Sequence, residues 1–375
     1  MTHELTDHLN VYLVGGAVRD IQLGREPKDR DYVVVGSSPD EMKALGYEQV
    51  GADFPVFLHP ETREEYALAR RERKTGAGYH GFDVEFGSSV TLEEDLVRRD
   101  LTINSMAMSS DGTLIDPYGG QADLNSKVLR ATSAHFRDDP LRVVRLARFC
   151  ARFEDFTVDA FTQKMSGDLV REGALNELPN ERFWAELEKV FSDDGQPARF
   201  FYYLDVVGAF DGVRFFGSLF GPDSSQRVES NEMMLAAQAV KHVAVELRVP
   251  VFTVLVSPCE ADYAVAGETK QITELRRAYA LAVHSDGSAE DAELIVGMTR
   301  AQYALSASFT NLMVTLAVCE GLGVRTAFSK DQLIDCRANI TGIRAEQFPG
   351  VSGRALGDAL KAARTEACRQ VLIAS

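Results

Sequence analysis

The chain has 375 residues, with 56 acidic against 40 basic side chains and a formal net charge of −16. That balance excludes indiscriminate nucleic-acid binding, because a phosphate backbone is repelled overall, but it allows a local basic face. No apolar run approaches the ~20 residues that span a bilayer, and the opening MTHELTDHLN is polar and acidic, unlike a signal peptide. Five cysteines (Cys150, Cys259, Cys319, Cys336, Cys368) lie far apart without CxxC spacing, which reads as reduced residues of a cytoplasmic protein. The length predicts two or three domains.

Val11 to Val14 reads as a buried strand, Gly15-Gly16 as the turn that ends it, and a short helix follows from Ala17. A second strand, Tyr32 to Val35, comes directly after Asp29-Arg30-Asp31. In an extended segment, side chains two apart share a face, so Asp29 and Asp31 present two carboxylates side by side. Such a pair is costly unless a cation sits between them, and Mg²⁺ favours oxygen ligands of this kind. A DxD pattern is also what a polar turn entering a strand looks like. The glycine turn beside it, with Arg19, offers backbone N–H groups and a cation to phosphate. Carboxylates for a metal and a cradle for phosphate point to nucleotidyl transfer.

Further strands are predicted at Val56–Leu58, Glu65–Ala69 and Thr113–Ile115, giving residues 1 to about 125 the pattern of an α/β domain. Glu64 and Glu65 are candidates for a third metal carboxylate, Glu65 slightly preferred, though either also suits an exposed strand end. The glycine-rich, cationic stretch Arg70 to Phe82 reads as a mobile loop beside an anion site. In Leu92 to Ala107, Arg99 could hold phosphate with its fork of donors, while Asp100 and Asn104 could accept from ribose hydroxyls. Taken alone, that segment fits a surface salt-bridge cluster better.

From about 136 the pattern turns helical, and the span from Lys127 to Arg152 carries the one concentration of basic residues. Asp138-Asp139-Pro140 reads as a helix start with Pro140 at the first helical position. Asp139 and Arg142, three apart, are neighbours on one face, and Arg145 and Arg148 extend the ridge. A carboxylate accepts and a guanidinium donates, which matches the amino group beside a ring acceptor in cytosine and adenine. Uracil and guanine present the reverse and would leave buried polar groups unpaired. Asp139 capping the helix and pairing with Arg142 explains the same residues equally well. A second helix is predicted from Asn180, with Phe183, Leu187 and Phe191 on one face, and the aromatics of Phe200 to Phe220 read as packing between helices. Beyond about 221, helices are predicted at Asn231–Leu247, 289–305, 306–321 and Arg354–Leu372.

Five motifs in order, LVGGAVRD with DRD, RRDLTINSMA, DPYGG (Asp116 to Gly120), DDPLRVVRLARF and NERFWAEL (Asn180 to Leu187), resemble the class II tRNA nucleotidyltransferases. These are the CCA-adding enzymes of the polymerase-β-like superfamily, and the stretch between Val50 and Phe82 is similar to the bacterial type. The resemblance covers about residues 10 to 210 and implies an α+β fold: a mixed-sheet nucleotidyltransferase head (1–125) followed by an all-α neck, body and tail. The neck and body with the base-reading helix would occupy 126–220, and the body and tail 221–375, where tRNA would bind.

The resemblance implies template-independent addition of CCA to tRNA 3′ ends from CTP and ATP, with Mg²⁺ as cofactor and no membrane partner. By motif position, Asp29 and Asp31 would be metal ligands, Gly16 and Arg19 (with Gly15) would touch the nucleotide, and Arg99 would serve triphosphate and ribose. Asp139 and Arg142 would read the base, with Arg145 and Arg148 continuing that surface. Arg71 to Tyr79 would be the family's flexible loop, and Glu181 and Arg182 would brace the neck. Two departures stand out. Asp138 replaces the usual Glu, and the chain has no His-Asp dipeptide, with His242 and His284 outside any ligand context, so no phosphohydrolase activity is expected. Segment Gly350 to Arg364 is similar to a tail element that contacts tRNA. A bacterial poly(A) polymerase shares the head and neck motifs and is the nearest alternative. The sequence leaves the oligomeric state open.

Overall fold

A computed structural model describes residues 8–50, 56–74, 82–87, 89–211, 234, 237, 278–279, 281–283, 285, 288–299, 307–321 and 325–373. Two compact units are formed: residues 1–186 with 203–213, and residues 187–202 with 214–375.

The first unit opens with β1 (Asn10–Val14), α1 (Gly16–Gln22), β2 (Asp31–Val35), α2 (Pro39–Ala44), β3 (Glu48–Val50), β4 (Val56–Leu58) and β5 (Glu65–Leu68). A hairpin of β6 (Arg70–Lys74) and β7 (Phe82–Phe86) precedes α3 (Leu92–Val97), β8 (Ala107–Met108) and β9 (Leu114–Ile115). The main sheet has seven strands in the order β3-β4-β5-β2-β1-β8-β9. Only β2 and β5 run parallel in it.

Strand alternation divides the apolar residues between two cores. On one face Val14, Val33 and Ala107 pack with Ala69 and with Leu92 and Leu96 of α3. On the other, Val34, Phe57, Tyr66 and Leu68 pack with Met42 of α2 and Tyr47. Asp31 pairs in register with Val14 on one side and Glu65 on the other, so it stands at the end of the first face, nearest α3.

After β9 come α4 (Gly120–Ser126), β10 (Val128–Leu129), α5 (Leu141–Arg152), β11 (Thr157–Val158), α6 (Ala160–Arg171), α7 (Asn180–Ser192) and α8 (Pro197–Val206). Gly120 starts α4 where nothing larger fits: a Cβ there would lie 2.3 Å from the Thr102 carbonyl oxygen. The Asp116 carboxylate accepts from the N–H groups of Gly120 and Gln121 at 2.7 and 2.9 Å, so the DPYGG motif is the cap of this helix. Most of α5 is buried, including Val143, Val144, Leu146, Ala147 and Phe149.

The expected loop at Arg70–Phe82 is corrected by the structure. Arg70–Lys74 is a strand paired antiparallel with Phe82–Phe86, and Arg71 sits opposite Glu85 in a 3.0 Å ion pair. That pair adds a cross-strand contact where β6 lacks apolar alternation. Arg71 to Lys74 of the expected flexible loop are therefore strand, and the remainder lies outside the described residues. So do the predicted helix at 231–247, apart from two residues, and the aromatics beyond 211.

The described part of the second unit is helical, with α9 (Ala289–Thr299), α10 (Ala307–Gly321), α11 (Lys330–Gly342) and α12 (Gly353–Ile373). Leu281, Ile295, Leu316, Leu333, Cys336, Cys368 and Leu372 form its core. Helix α11 begins with a capping box between Ser329 and Gln332. None of the described helices is long and apolar enough to cross a membrane.

Candidate active site

The site forms where β1 ends and β2 begins. Gly15 takes φ +71°, closed to most side chains, and a Cβ on it would come within 3.0 Å of Arg99 Nη1. Arg99 thus lies directly over the glycine turn. It is held there by Asp95, four residues earlier, which accepts from Arg99 Nη2 at 3.2 Å and also pairs with Arg98. Asp95 is fully buried. Burial pushes its carboxyl up, but the two guanidiniums overcome this and hold it below the usual range.

Asp29 and Asp31 are both exposed at the mouth of the turn. Partial desolvation raises the Asp31 carboxyl, Arg99 opposes the shift, and the Asp29 charge adds to it. The two carboxylates therefore feel each other, as the DxD spacing predicts. Glu65 is the register partner of Asp31 on the adjacent strand, whereas Glu64 is tied to Thr62 Oγ1 at 2.9 Å. Among the described residues, no group of three His, Cys, Asp or Glu is close enough to form a metal cage. A pair of repelling carboxylates open to solvent suits Mg²⁺, which keeps waters and uses one or two carboxylates with substrate phosphates.

Behind the turn runs a buried polar chain. Arg19 is 4% exposed; its Nη1 donates to Asn104 Oδ1 at 2.6 Å and its Nε to Asp20 at 2.9 Å. Asn104 Nδ2 donates to Asp100 Oδ1 at 3.0 Å, and the other Asp100 oxygen accepts from Arg145 Nε and Nη2 at 2.9 and 2.7 Å. Burial alone would raise the Asp100 carboxyl, but Arg145, with Asn104 donating, brings it far below the carboxylate range. Arg148, almost fully buried, stacks 4.4 Å from the Phe149 ring and donates to Glu186 at 2.6 Å. Arg19, Asp100, Asn104, Arg145 and Arg148 thus join α1 and the segment after α3 to α5 and α7. The structure gives Asp100 and Asn104 these protein partners where the sequence suggested ribose hydroxyls.

Asp139 and Arg142 stand together at the start of α5 but take other partners. Asp139 Oδ1 accepts from the Leu141 N–H at 3.0 Å, and the carboxylate pairs with Arg182 of α7 at 2.9 Å. Arg142 Nη1 donates to the His135 carbonyl. Pro140 is the residue before the helix and not its first position, a one-residue displacement.

Sequence reasoning missed Asp95, Asp20, Arg152 and Glu186. The four-residue spacing of Asp95, on α3, and Arg99, just past the end of that helix, was a usable signal. No local signal marks Glu186, which lies 38 residues from Arg148, or the Arg152–Asp20 pair at 3.1 Å.

Residues 11–130 match the family model described as the Poly A polymerase head domain. The Multifunctional CCA protein of Chromobacterium violaceum is 57% identical over 201 residues, covering 54% of this chain and 49% of that protein. The CCA-adding enzyme of Coxiella burnetii is 54% identical over 202 residues, covering 54% of each chain. The chain thus spans about half the length of the curated relatives it matches. Among solved structures, a Thermotoga maritima CCA-adding enzyme complexed with tRNA aligns with a TM-score of 0.60 at 19% identity, covering 100% of this chain and 93% of that one. A CCA-adding enzyme in complex with CTP aligns at 0.61 and 21% identity, over 98% of this chain and 88% of that one. At such identities these likenesses show the fold, an α+β head followed by helices. Motifs, head domain and fold agree: residues 11–130 match a Poly A polymerase head domain, and over about 200 residues the chain is similar to CCA-adding enzymes.

Proposed function

We propose that this protein adds C, C and A to the 3′ end of tRNA from CTP and ATP, without a template and with release of pyrophosphate. The observation that carries the proposal is the Asp29–Asp31 pair facing Arg99 across the glycine turn, with its electrostatic coupling. Asp29 and Asp31 would hold Mg²⁺, which when bound supplies Lewis-acid stabilisation of charge at the reacting phosphate and the leaving group. Arg99 pairs with the triphosphate, and the backbone of Gly15 and Gly16 lets phosphate approach where a Cβ would block it. Arg19 supports that turn from beneath. The tRNA 3′ oxygen forms its bond to the α-phosphorus as the bond to the pyrophosphate oxygen breaks.

Asp139 accepts from the amino group of cytosine or adenine, and Arg142 donates to the adjoining ring nitrogen. Both bases present this pair, and uracil and guanine do not. Arg145 and Arg148 hold the reading helix to the head. The helical second unit takes the body of the tRNA, a contact that salt should weaken. The protein works in the cytoplasm.

Asp29→Ala and Asp31→Ala test this reading: incorporation of labelled CTP into tRNA lacking CCA should fall by at least ~10³-fold with the far-ultraviolet circular dichroism unchanged. Activity within tenfold of the unsubstituted protein in both variants would remove the two carboxylates from the mechanism. The Poly A polymerase name of the matching head model favours a second reading, addition of A alone. Incorporation of C separates the two.

A further inference from the structure

Arg182 stands 43 positions from Asp139 in the chain, on a different helix, yet it donates to both oxygens of that carboxylate. Its Nη2 lies 2.9 Å from Oδ2 and its Nη1 3.4 Å from Oδ1. The Leu141 N–H occupies Oδ1 as well, at 3.0 Å. A carboxylate offers about four acceptor positions, so these three donors fix its plane and leave acceptor capacity for an incoming amino group. Arg142, the neighbour one turn along, is turned to the His135 carbonyl. Asp139 is therefore oriented from α7.

We propose that Arg182 is a specificity-determining positioning residue for the nucleotide base. It holds the Asp139 carboxylate in one orientation, so that the site accepts an amino edge and refuses a carbonyl edge. The inference rests on the base-reading role proposed above for Asp139. Its physical basis is the asymmetry of the carboxyl group. Ionised, it only accepts, and a uracil or guanine carbonyl opposite it leaves two acceptors facing each other. Released from the guanidinium, the group can rotate and no longer presents a fixed acceptor to the base edge. The discrimination is then lost although Asp139 remains in place. Arg145, Arg142 and the His135–Asp138 pair surround the same helix start, but among the described contacts only Arg182 grips the carboxylate with two guanidinium nitrogens.

The test uses the full chain and tRNA ending before CCA. It measures kcat/KM for CTP and UTP in the unsubstituted protein, in Arg182→Ala, Asp139→Ala and the double variant, and in Arg182→Lys. Arg182→Ala should lower the C-to-U ratio by at least about tenfold, chiefly because UTP is used faster relative to CTP. The double variant should discriminate no worse than Asp139→Ala, since both changes remove one device. Arg182→Lys, which keeps the charge but loses the fork, should fall between. A residue with a merely structural role would slow CTP and UTP alike and leave the ratio unmoved.

If Asp139→Ala loses discrimination while Arg182→Ala keeps it within twofold, or if the two effects multiply, the inference is overturned and the base-reading role of Asp139 stands. If Asp139→Ala itself keeps the ratio, that role is overturned and the inference with it. Should Arg182→Ala fail to fold, Arg182→Lys is judged by the same ratio.

Discussion

Replacing Asp100 by Asn removes a charge from the centre of the buried chain behind the active site while keeping the side chain's shape. The amide can still accept from the Leu101 N–H and Asn104 through one oxygen, at positions now 2.8 and 3.0 Å from Asp100 Oδ1. Its other end becomes an NH₂ group facing Arg145 Nε and Nη2, two donors now 2.9 and 2.7 Å from Oδ2. Removing one partner of a buried ion pair costs ~3–5 kcal/mol. Arg145 is 33% exposed along its side chain, so water recovers part of that, and about 2–3 kcal/mol remains. Glu186 does little to replace Asp100, because its nearer contact is the 2.6 Å bond to Arg148 while Arg145 stands 3.9 Å away.

The single tryptophan, Trp184, lies in α7 two residues before Glu186, so its fluorescence follows unfolding of this region. At ~2–4 °C per kcal/mol for a unit of this size, the transition should fall by about 5–10 °C at pH 7. The pH dependence has a definite sign. Asp100 is held below its unfolded value of ~3.9, so its contribution is complete above that value and is lost as pH falls towards the folded one. The deficit of Asp100→Asn should therefore be constant from pH 5 to 8 and shrink below about pH 4. A loss under ~0.5 kcal/mol at pH 7, or one that is the same at pH 3, would show that the ion pair does not hold these elements together.

Other substitutions probe the remaining parts. Arg99→Ala should raise KM for CTP and ATP together by at least about tenfold if, as proposed, its fork takes the triphosphate and not the base; an effect confined to one nucleotide would contradict that role. Asp95→Asn should reproduce much of the Arg99 defect, because Asp95 holds that guanidinium over the glycine turn; isothermal titration with a non-hydrolysable CTP analogue measures it, and unchanged affinity would refute the link. Gly120→Ala should destabilise the head by about 3 kcal/mol, because its Cβ would sit 2.3 Å from the Thr102 carbonyl oxygen and 2.8 Å from Met106 Cγ; chemical denaturation would read the loss.

The sequence was most legible where chemistry and periodicity are local. Strands β1, β2 and β4 follow apolar runs bounded by glycine, proline or charge, and helices α9 and α12 begin within one residue of their predicted positions. The β6–β7 hairpin escaped because RRERK has no apolar alternation; the Arg71–Glu85 ion pair that spans the strands is seen only once register is known. The Asp29–Asp31 pair, proposed above to hold the metal, was readable from a spacing of two residues. The chain that supports them was not, because its bonds join residues 85, 45 and 38 positions apart. Asp100 shows the difference well. As sequence it is a polar residue beside arginines, suited to a surface cluster or a ribose; in the fold it is a buried counter-ion for the helix that follows.

The central claim is tested most directly by sizing the products of nucleotide addition. Purified protein with Mg²⁺ would receive tRNA ending before CCA, tRNA ending in CC, or an unrelated RNA, each with CTP, ATP, UTP or GTP singly and then with CTP and ATP together. The account predicts two additions from CTP, one further addition from ATP and then a stop, with UTP and GTP refused and the unrelated RNA unextended. Long A tails on any RNA, or no addition to either tRNA, would contradict it.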